Sequence, residues 1–338
     1  MVPMENKMPS VSVMVPVYNS EGTIGQCIAS ALKLKYPKKK LEVVVVDDGS
    51  TDNTVRIVKE YPVKFVPKRH GGYPSTMNVG IKTTGGEIIV NIDSDAYITE
   101  DWLAKTIDEF EDPEVGVVGG LIAPAPPDDF WAKLTSYDAE YRQRQAFSRS
   151  KYSDHITTSC TAFRRRVFEE IGFFDESFKL GSDEDLTHRA LKAGWKIVVN
   201  TEAVCYHHYR GSFRHYFKGH HLREGWYQFK EIRKHPELIR GKKVYPAKLY
   251  IPLFLTFFLF IIPFLYFTDR LLLFLVTLAL FILYHIPETI AILQKHREWT
   301  FLLFPVVILT RYVAWLLGFA AAVLHEIVSK IRVKSART

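Results

Sequence analysis

The chain has 338 residues, 47% of them hydrophobic, and a formal net charge of +7. Aliphatic and aromatic side chains are too plentiful for a disordered protein, and the length allows one large domain or two. Basic residues gather around 207–248 and at the C-terminus, a placement suited to a membrane surface or anionic substrates. With no zinc-finger spacing and no nucleic-acid motif, no nucleic-acid partner is expected. The three cysteines, Cys27, Cys160 and Cys205, are far apart and lack metal-site spacing, so they are read as reduced core thiols.

Composition changes abruptly at Leu249: residues 1–248 read as a soluble α/β protein and 249–327 are overwhelmingly apolar. Met1–Ser10 carries charges and no apolar core, so no signal peptide is expected and the first 248 residues should stay on the side of synthesis. Val11–Asn19 reads as a strand broken at Pro16 and Asn19, followed by a helix over Thr23–Leu34. Leu41–Val46 is a second buried strand ending in Asp47-Asp48-Gly49-Ser50-Thr51-Asp52. Ser50 or Thr51 is placed to cap a helix from Thr54 to Glu60. Val63–Val66 is a third strand, Thr76–Thr83 a helix, and Ile88–Ile92 a fourth strand.

That fourth strand ends in Asp93-Ser94-Asp95, two carboxylates spaced i, i+2 and therefore on one side of an extended chain. Such a pair repels itself unless a cation sits between, and hard oxygen ligands suit Mg²⁺ or Mn²⁺, which bind diphosphates. Alternating strands and helices imply a parallel sheet whose ligands sit at the carboxyl ends of the strands. Asp47, Asp48, Asp93 and Asp95 all fall there.

Further on, Asp128–Tyr152 reads as polar, aromatic-rich helix or loop, and Thr157–Phe163 as a strand leading into a helix through Glu170. Gly181-Ser182-Asp183-Glu184-Asp185-Leu186 puts three acids at a helix start, more than capping needs. Tyr206-His207-His208 follows the apolar run Ile197–Val199 and Ala203-Val204; adjacent residues on a strand point oppositely, so at most one of the two histidines joins any one site.

In order and spacing, Pro16-Val17-Tyr18-Asn19, Val45–Asp52, Asp93-Ser94-Asp95, Phe163-Arg164-Arg165, Ile171–Glu176, Ser182–Leu186 and Tyr206-His207-His208 resemble glycosyltransferase family 2, over roughly residues 10–225. The resemblance implies an α/β fold of the GT-A type, a nucleotide-sugar-binding domain with a mostly parallel sheet flanked by helices. It also implies an inverting, metal-dependent transfer. Carried onto this chain, it makes Pro16, Tyr18, Asp47, Asp48 and Asp93 nucleotide-sugar contacts, with Asp48 reading the nucleobase edge. Asp93 and Asp95 would hold Mn²⁺ or Mg²⁺, with His207 or His208 as a further ligand. Asp183 would be the base, preceded by Ser182 where the family has Glu. In Lys68-Arg69-His70-Gly71-Gly72-Tyr73-Pro74, Arg69 or Lys68 would stand near the phosphates; the Gly-Gly-Tyr-Pro sequence departs from the family's small-residue pattern.

Residues 212–235 mix aromatic and basic side chains and suggest helices lying at a membrane interface. Leu249–Thr268, Leu271–Leu293 and Phe301–Ile327 are each long enough to span a bilayer. The last contains Arg311, costly in a membrane unless paired or functional. Basic residues before the first span and in the tail both favour the cytosol, which conflicts with three spans.

The expected organisation is a catalytic domain over 1–211, interfacial helices over 212–248 and a helical transmembrane domain over 249–338. The whole would be a multi-pass cell-membrane protein with a cytoplasmic catalytic domain. It would move mannose or glucose from GDP-mannose or UDP-glucose to a hydroxyl on a lipid-linked or glycan acceptor. The alternatives are a polyprenyl-phosphate sugar synthase and a non-catalytic nucleotide-binding scaffold. No Gln-x-x-Arg-Trp sequence occurs near His220–Trp226, so single transfers are expected rather than processive synthesis.

Overall fold

The computed structural model describes residues 8–126, 129–148, 150–178, 180–209, 211–236, 254–259, 261–262 and 269–335. The chain forms two compact units: one of Met1–Asp128 with Arg142–Tyr209, the other of Asp129–Tyr141 with Arg210–Thr338.

The first unit is built on one eight-stranded sheet. Its strands are β1 (Val11–Val17), β2 (Leu41–Asp47), β3 (Lys64–Pro67), β4 (Ile88–Ile92), β5 (Ala96–Ile98), β6 (Val115–Pro124), β7 (Cys160–Arg164) and β8 (Lys196–His207), in the order β3-β2-β1-β4-β7-β6-β8-β5. The β3-β2-β1-β4 half is parallel, as the alternation of apolar strands and helices predicts. The other half is mixed: β7 runs antiparallel to β4 and β6, and β5 antiparallel to β8. This mixing serves the site. An antiparallel β7 begins where β4 ends, and β8 finishes where β5 begins, so residues distant in sequence arrive beside the Asp93–Asp95 segment.

Period-2 alternation divides the core into two layers. Val11, Val13 and Val15 pack with Ile24, Cys27 and Ile28 of α1 (Ile24–Leu32). Met14, Val44 and Val46 pack on the other face with Met77 and Ile81 of α3 (Tyr73–Thr83), which follows the short α2 (Thr54–Val58). The α3–β1 approach is close enough that a Cβ on Gly80 would lie 1.9 Å from Met14 Sδ. All three cysteines are buried free thiols.

Pro16 does not break β1, which continues through Val17 with Pro16 opposite Val46. The ladder to β4 stops at Met14, so at Pro16 the strand is paired on one side only and the missing N–H breaks no bond there. The remaining helices of this unit are α4 (Trp102–Thr106), α6 (Arg165–Ile171) and α7 (Ser182–Lys192). Helix α5 (Phe130–Phe147) fills most of the polar segment 128–152, and Asp129–Tyr141 groups with the second unit.

In the second unit a π-helical turn, His215–His221, leads into α8 (Leu222–Lys234), and two long helices follow, α9 (Arg270–His296) and α10 (Phe304–Ser335). Helix α8 lies against α10. A Cβ on Gly225 would meet the Trp315 carbonyl oxygen at 2.1 Å, Phe229 stacks edge-on with Phe319, and Trp315 Nε1 donates to Gln228 Oε1 at 3.0 Å. One side of the segment expected at a membrane interface is thus covered by protein. Most of the expected span Leu249–Thr268 lies outside the described residues, as do Lys242, Lys243, Lys248 and Arg337. The other two expected spans are helical, and α9 and α10 are long and apolar enough to cross a membrane.

Candidate active site

Three loops at the carboxyl ends of β1, β2 and β4 meet because β1 lies between the other two strands. Their contacts are specific. The Asn19 side-chain oxygen accepts from Thr51 N at 2.8 Å, Asn19 N donates to Ser50 Oγ at 2.9 Å, and Ser20 Oγ meets Ser94 Oγ at 2.8 Å. Asn19 takes a left-handed φ of 49° to make this turn.

Asp93, Asp95 and His207 form one cluster, each offering a ligand atom within 4.8 Å of the others. The pairing of Ala96 with His207 delivers the histidine, and His207 Nε2 lies 3.2 Å from Asp95 Oδ1. His208, one residue on, faces the other way, with Nε2 at 2.9 Å from Gln26 Oε1. Of the two sequence candidates, only His207 joins the cluster. Burial and then the neighbouring Asp95 charge push the Asp93 carboxyl up from the usual carboxylate range, against the opposing pull of His207 and Tyr73. Burial disfavours a charged His207, but the Asp95 and Asp93 carboxylates outweigh it and raise the imidazole. Two carboxylates and one imidazole, with acid–acid repulsion only partly relieved, are a donor set that fits Mn²⁺ or Mg²⁺.

Asp93 is also held from behind. Tyr73, the first residue of α3, donates its hydroxyl to Asp93 Oδ1 at 2.9 Å. The Asn91 amide lies 3.1 Å from the same hydroxyl and 3.2 Å from Asp93 Oδ1. Thr158 Oγ1 sits 2.9 Å from the Tyr73 oxygen, and Asp93 N donates to the Ser159 carbonyl at 2.9 Å. Burial, then Asp93, raises the Tyr73 phenol well above its ordinary value, and the Asp183 charge adds to the rise. Asp183 therefore lies in electrostatic reach of Tyr73. Sequence reasoning noted Tyr73 only as a departure from a pattern and missed Asn91 and Thr158. The available signal was a polar Asn inside an otherwise apolar β4.

The other predicted residues are distributed differently. Asp48 has a side chain only 3% exposed, and its two oxygens accept from Lys68 Nζ, from Gly71 N (2.9 Å) and from Gly72 N (2.8 Å), while His70 Nδ1 meets the Asp48 backbone carbonyl at 3.2 Å. A carboxylate has about four acceptor sites, and three of them are taken by Lys68, Gly71 and Gly72. Burial alone would raise its pKa, but the hydrogen bonds from Lys68, Gly71 and Gly72 bring it below the usual value. Asp48 thus organises the 68–72 turn.

Asp47 is buried too and accepts from the Gly49 and Ser50 amides at 3.2 Å. Pro16 is buried within β1. Arg69 is exposed, and of the two basic neighbours it is Lys68 that reaches Asp48. Tyr18 is exposed and its ring lies 4.3 Å from that of His70, an aromatic pair open at the strand ends.

Asp183 stands in the first turn of α7, half-exposed, with Oδ1 accepting from Glu184 N at 3.1 Å. Asp185 is buried and receives Arg189 Nε at 2.9 Å, while the same guanidinium donates to the Ile171 and Phe173 carbonyls. Asp185 is held by Arg189, while Asp183 and Glu184 are both half-exposed.

Residues 12–172 match the family model described as glycosyl transferase family 2. The chain is 29% identical over 210 residues to glycosyltransferase AglE of Haloferax volcanii, covering 60% of this chain and 68% of that protein. It is 24% identical over 227 residues to the Methanococcus voltae dolichyl N-acetyl-alpha-D-glucosaminyl phosphate 3-beta-D-2,3-diacetamido-2,3-dideoxy-beta-D-glucuronosyltransferase, covering 62% of this chain and 70% of that protein. Among solved structures, mannosyltransferase PcManGT from Pyrobaculum calidifontis, in complex with GDP-Man and Mn²⁺, superposes with a TM-score of 0.59 at 21% identity, over 94% of this chain and 88% of that one.

Proposed function

Because residues 12–172 form a domain of glycosyl transferase family 2, we propose that the protein is a membrane-anchored, inverting hexosyltransferase. It moves mannose or glucose from a nucleotide diphosphate sugar to a hydroxyl of a lipid-linked or glycan acceptor. The observation that carries this reading is the Asp93–Asp95–His207 cluster at the carboxyl ends of the strands, with the Asp183 charge felt by Tyr73, which bonds Asp93.

Asp93, Asp95 and His207 would hold Mn²⁺ or Mg²⁺, which when bound supplies Lewis-acid compensation for the charge on a departing diphosphate. Tyr18 and His70 offer the base an aromatic surface, with Asp48 fixing His70 in place. Asp183 takes the proton of the acceptor hydroxyl; the freed oxygen bonds to the anomeric carbon as the bond from that carbon to the diphosphate oxygen breaks. A single in-line displacement inverts the anomeric centre. GDP-mannose is favoured as donor by the GDP-Man and Mn²⁺ in the PcManGT complex, and a lipid-linked acceptor by the dolichyl-linked substrate in the name of the Methanococcus voltae relative. Membrane anchoring is supported by the long apolar helices α9 and α10, where Leu272, Leu275, Leu283, Val306 and Leu324 are exposed.

The test is transfer from GDP-mannose and UDP-glucose to lipid-linked glycan by purified protein, wild type against Asp183→Asn. The expected result is a loss of about 10²–10⁴-fold in turnover with nucleotide binding kept. Full transfer by Asp183→Asn would overturn the assignment of the base. Transfer to polyprenyl phosphate alone, unaffected by Asp183→Asn, would favour the polyprenyl-phosphate synthase, whose anionic acceptor needs no base.

A further inference from the structure

Tyr73 touches none of the groups given a chemical role above except Asp93, and the hydrogen-bond directions around it are forced. The Asp93 carboxylate only accepts, so the phenol proton points at Oδ1. With that proton committed, Thr158 Oγ1 must donate to the phenol oxygen, while the Asn91 amide gives one proton to the Thr158 carbonyl and shares the other between the phenol oxygen and Asp93 Oδ1. Turning that amide over would set oxygen against oxygen. Its orientation is fixed even though, among the described residues, no donor meets the buried Asn91 Oδ1.

We propose that Tyr73 is a positioning residue: its hydroxyl, aligned by Asn91 and Thr158, holds the Asp93 carboxylate in the orientation that takes up a divalent cation with Asp95 and His207. The assignment rests on the metal-binding part of the proposed function. Residues that orient a metal ligand without touching the metal typically contribute ten- to a hundred-fold in affinity. Tyr73 does so from the N-terminus of α3, Asn91 from inside β4 and Thr158 from the entry to β7. Three elements distant in sequence therefore converge on one carboxylate.

Titration calorimetry with Mn²⁺ on full-length, detergent-purified protein tests this, with the thermal midpoint in the absence of metal read alongside. Tyr73→Phe is expected to raise the Mn²⁺ dissociation constant by about ten-fold or more, whether or not the lost hydrogen bonds also lower the metal-free midpoint. A purely structural tyrosine would lower the midpoint and leave the dissociation constant unchanged, and that result overturns the proposal. Should Tyr73→Phe fail to fold, Thr158→Val removes only the alignment of the hydroxyl: weaker Mn²⁺ binding supports the proposal, and an unchanged dissociation constant overturns it. Wild-type protein that takes up no Mn²⁺ or Mg²⁺ overturns the metal-binding reading and this inference together, whereas wild-type binding matched by Tyr73→Phe overturns this inference alone.

Discussion

At the end of β4, Asp93 faces a second carboxylate, Asp95, with the His207 imidazole beside them. In the second unit the buried Asp138 of α5 faces the Arg311 guanidinium of α10, which also donates to Tyr312 Oη at 3.1 Å. The same unit pairs Glu140 with Lys295 at 2.5 Å and Glu298 with Lys133 at 2.8 Å. Each of these acids meets a cation of its own chain, so nothing is left for a ligand to neutralise. Asp93 and Asp95 instead share an excess of negative charge, a condition that a bound cation relieves. Acid content alone does not mark a site; two carboxylates held against each other do.

This contrast is open to measurement. The largest effect is expected at the two facing acids: Asp95→Asn should lower transfer by about 10³-fold, some 4 kcal/mol in the barrier. The same change should abolish stabilisation by Mn²⁺ in a thermal-shift assay while leaving the metal-free midpoint intact. A large loss of metal-free stability would make Asp95 another structural acid.

The matched pair should behave in the opposite way. Asp138→Ala strands the buried Arg311 and is expected to cost about 3–5 kcal/mol of stability. The double replacement Asp138→Leu with Arg311→Met should recover most of that loss, since a buried ion pair contributes little net stability beyond what well-packed apolar groups give. Denaturation in detergent micelles reads both; a double variant no better than the single would mean that Arg311 has a second task.

Asp48 stands between the two cases, a matched acid at the carboxyl end of β2, near the Asp93 segment. Its folded pKa lies below the usual value. Its stabilising contribution is therefore complete above the unfolded value of about 4 and is lost as pH falls through the lower folded value. Asp48→Asn should cost about 2–3 kcal/mol at neutral pH and flatten the acid limb of a stability-against-pH curve. An unaltered acid limb would show that Lys68 and the Gly71 and Gly72 amides find other partners. The smallest effect belongs to Lys133→Ala: its partner Glu298 remains within reach of solvent, so the thermal midpoint should not move measurably.

Much of the first unit could be read from local pattern. Period-2 apolar runs set β1, β2 and β4, and acids at their carboxyl ends marked the crevice, because a strand's alternation and its terminus are properties of a few consecutive residues. The two long apolar helices were legible for the same reason, through composition alone. What the sequence left open were choices among neighbours: which of His207 and His208 joins the two acids, which of Lys68 and Arg69 pairs with Asp48, and which of Asp47, Asp48 and Asp93 faces a second carboxylate.

Those choices were decided by pairings that have no local signature. The antiparallel β5–β8 register turns His207 toward Asp95, and antiparallel β7 sets Thr158 beside Tyr73, 85 residues away in the chain. Arg311 finds Asp138 at a separation of 173 residues. The sequence by itself determined the order of strands and helices, the acidic ends of β2 and β4 and the apolar character of α9 and α10. Only the tertiary structure decided which acids are neutralised, because a carboxylate's charge balance depends on every group within a few ångströms, wherever in the chain that group originates.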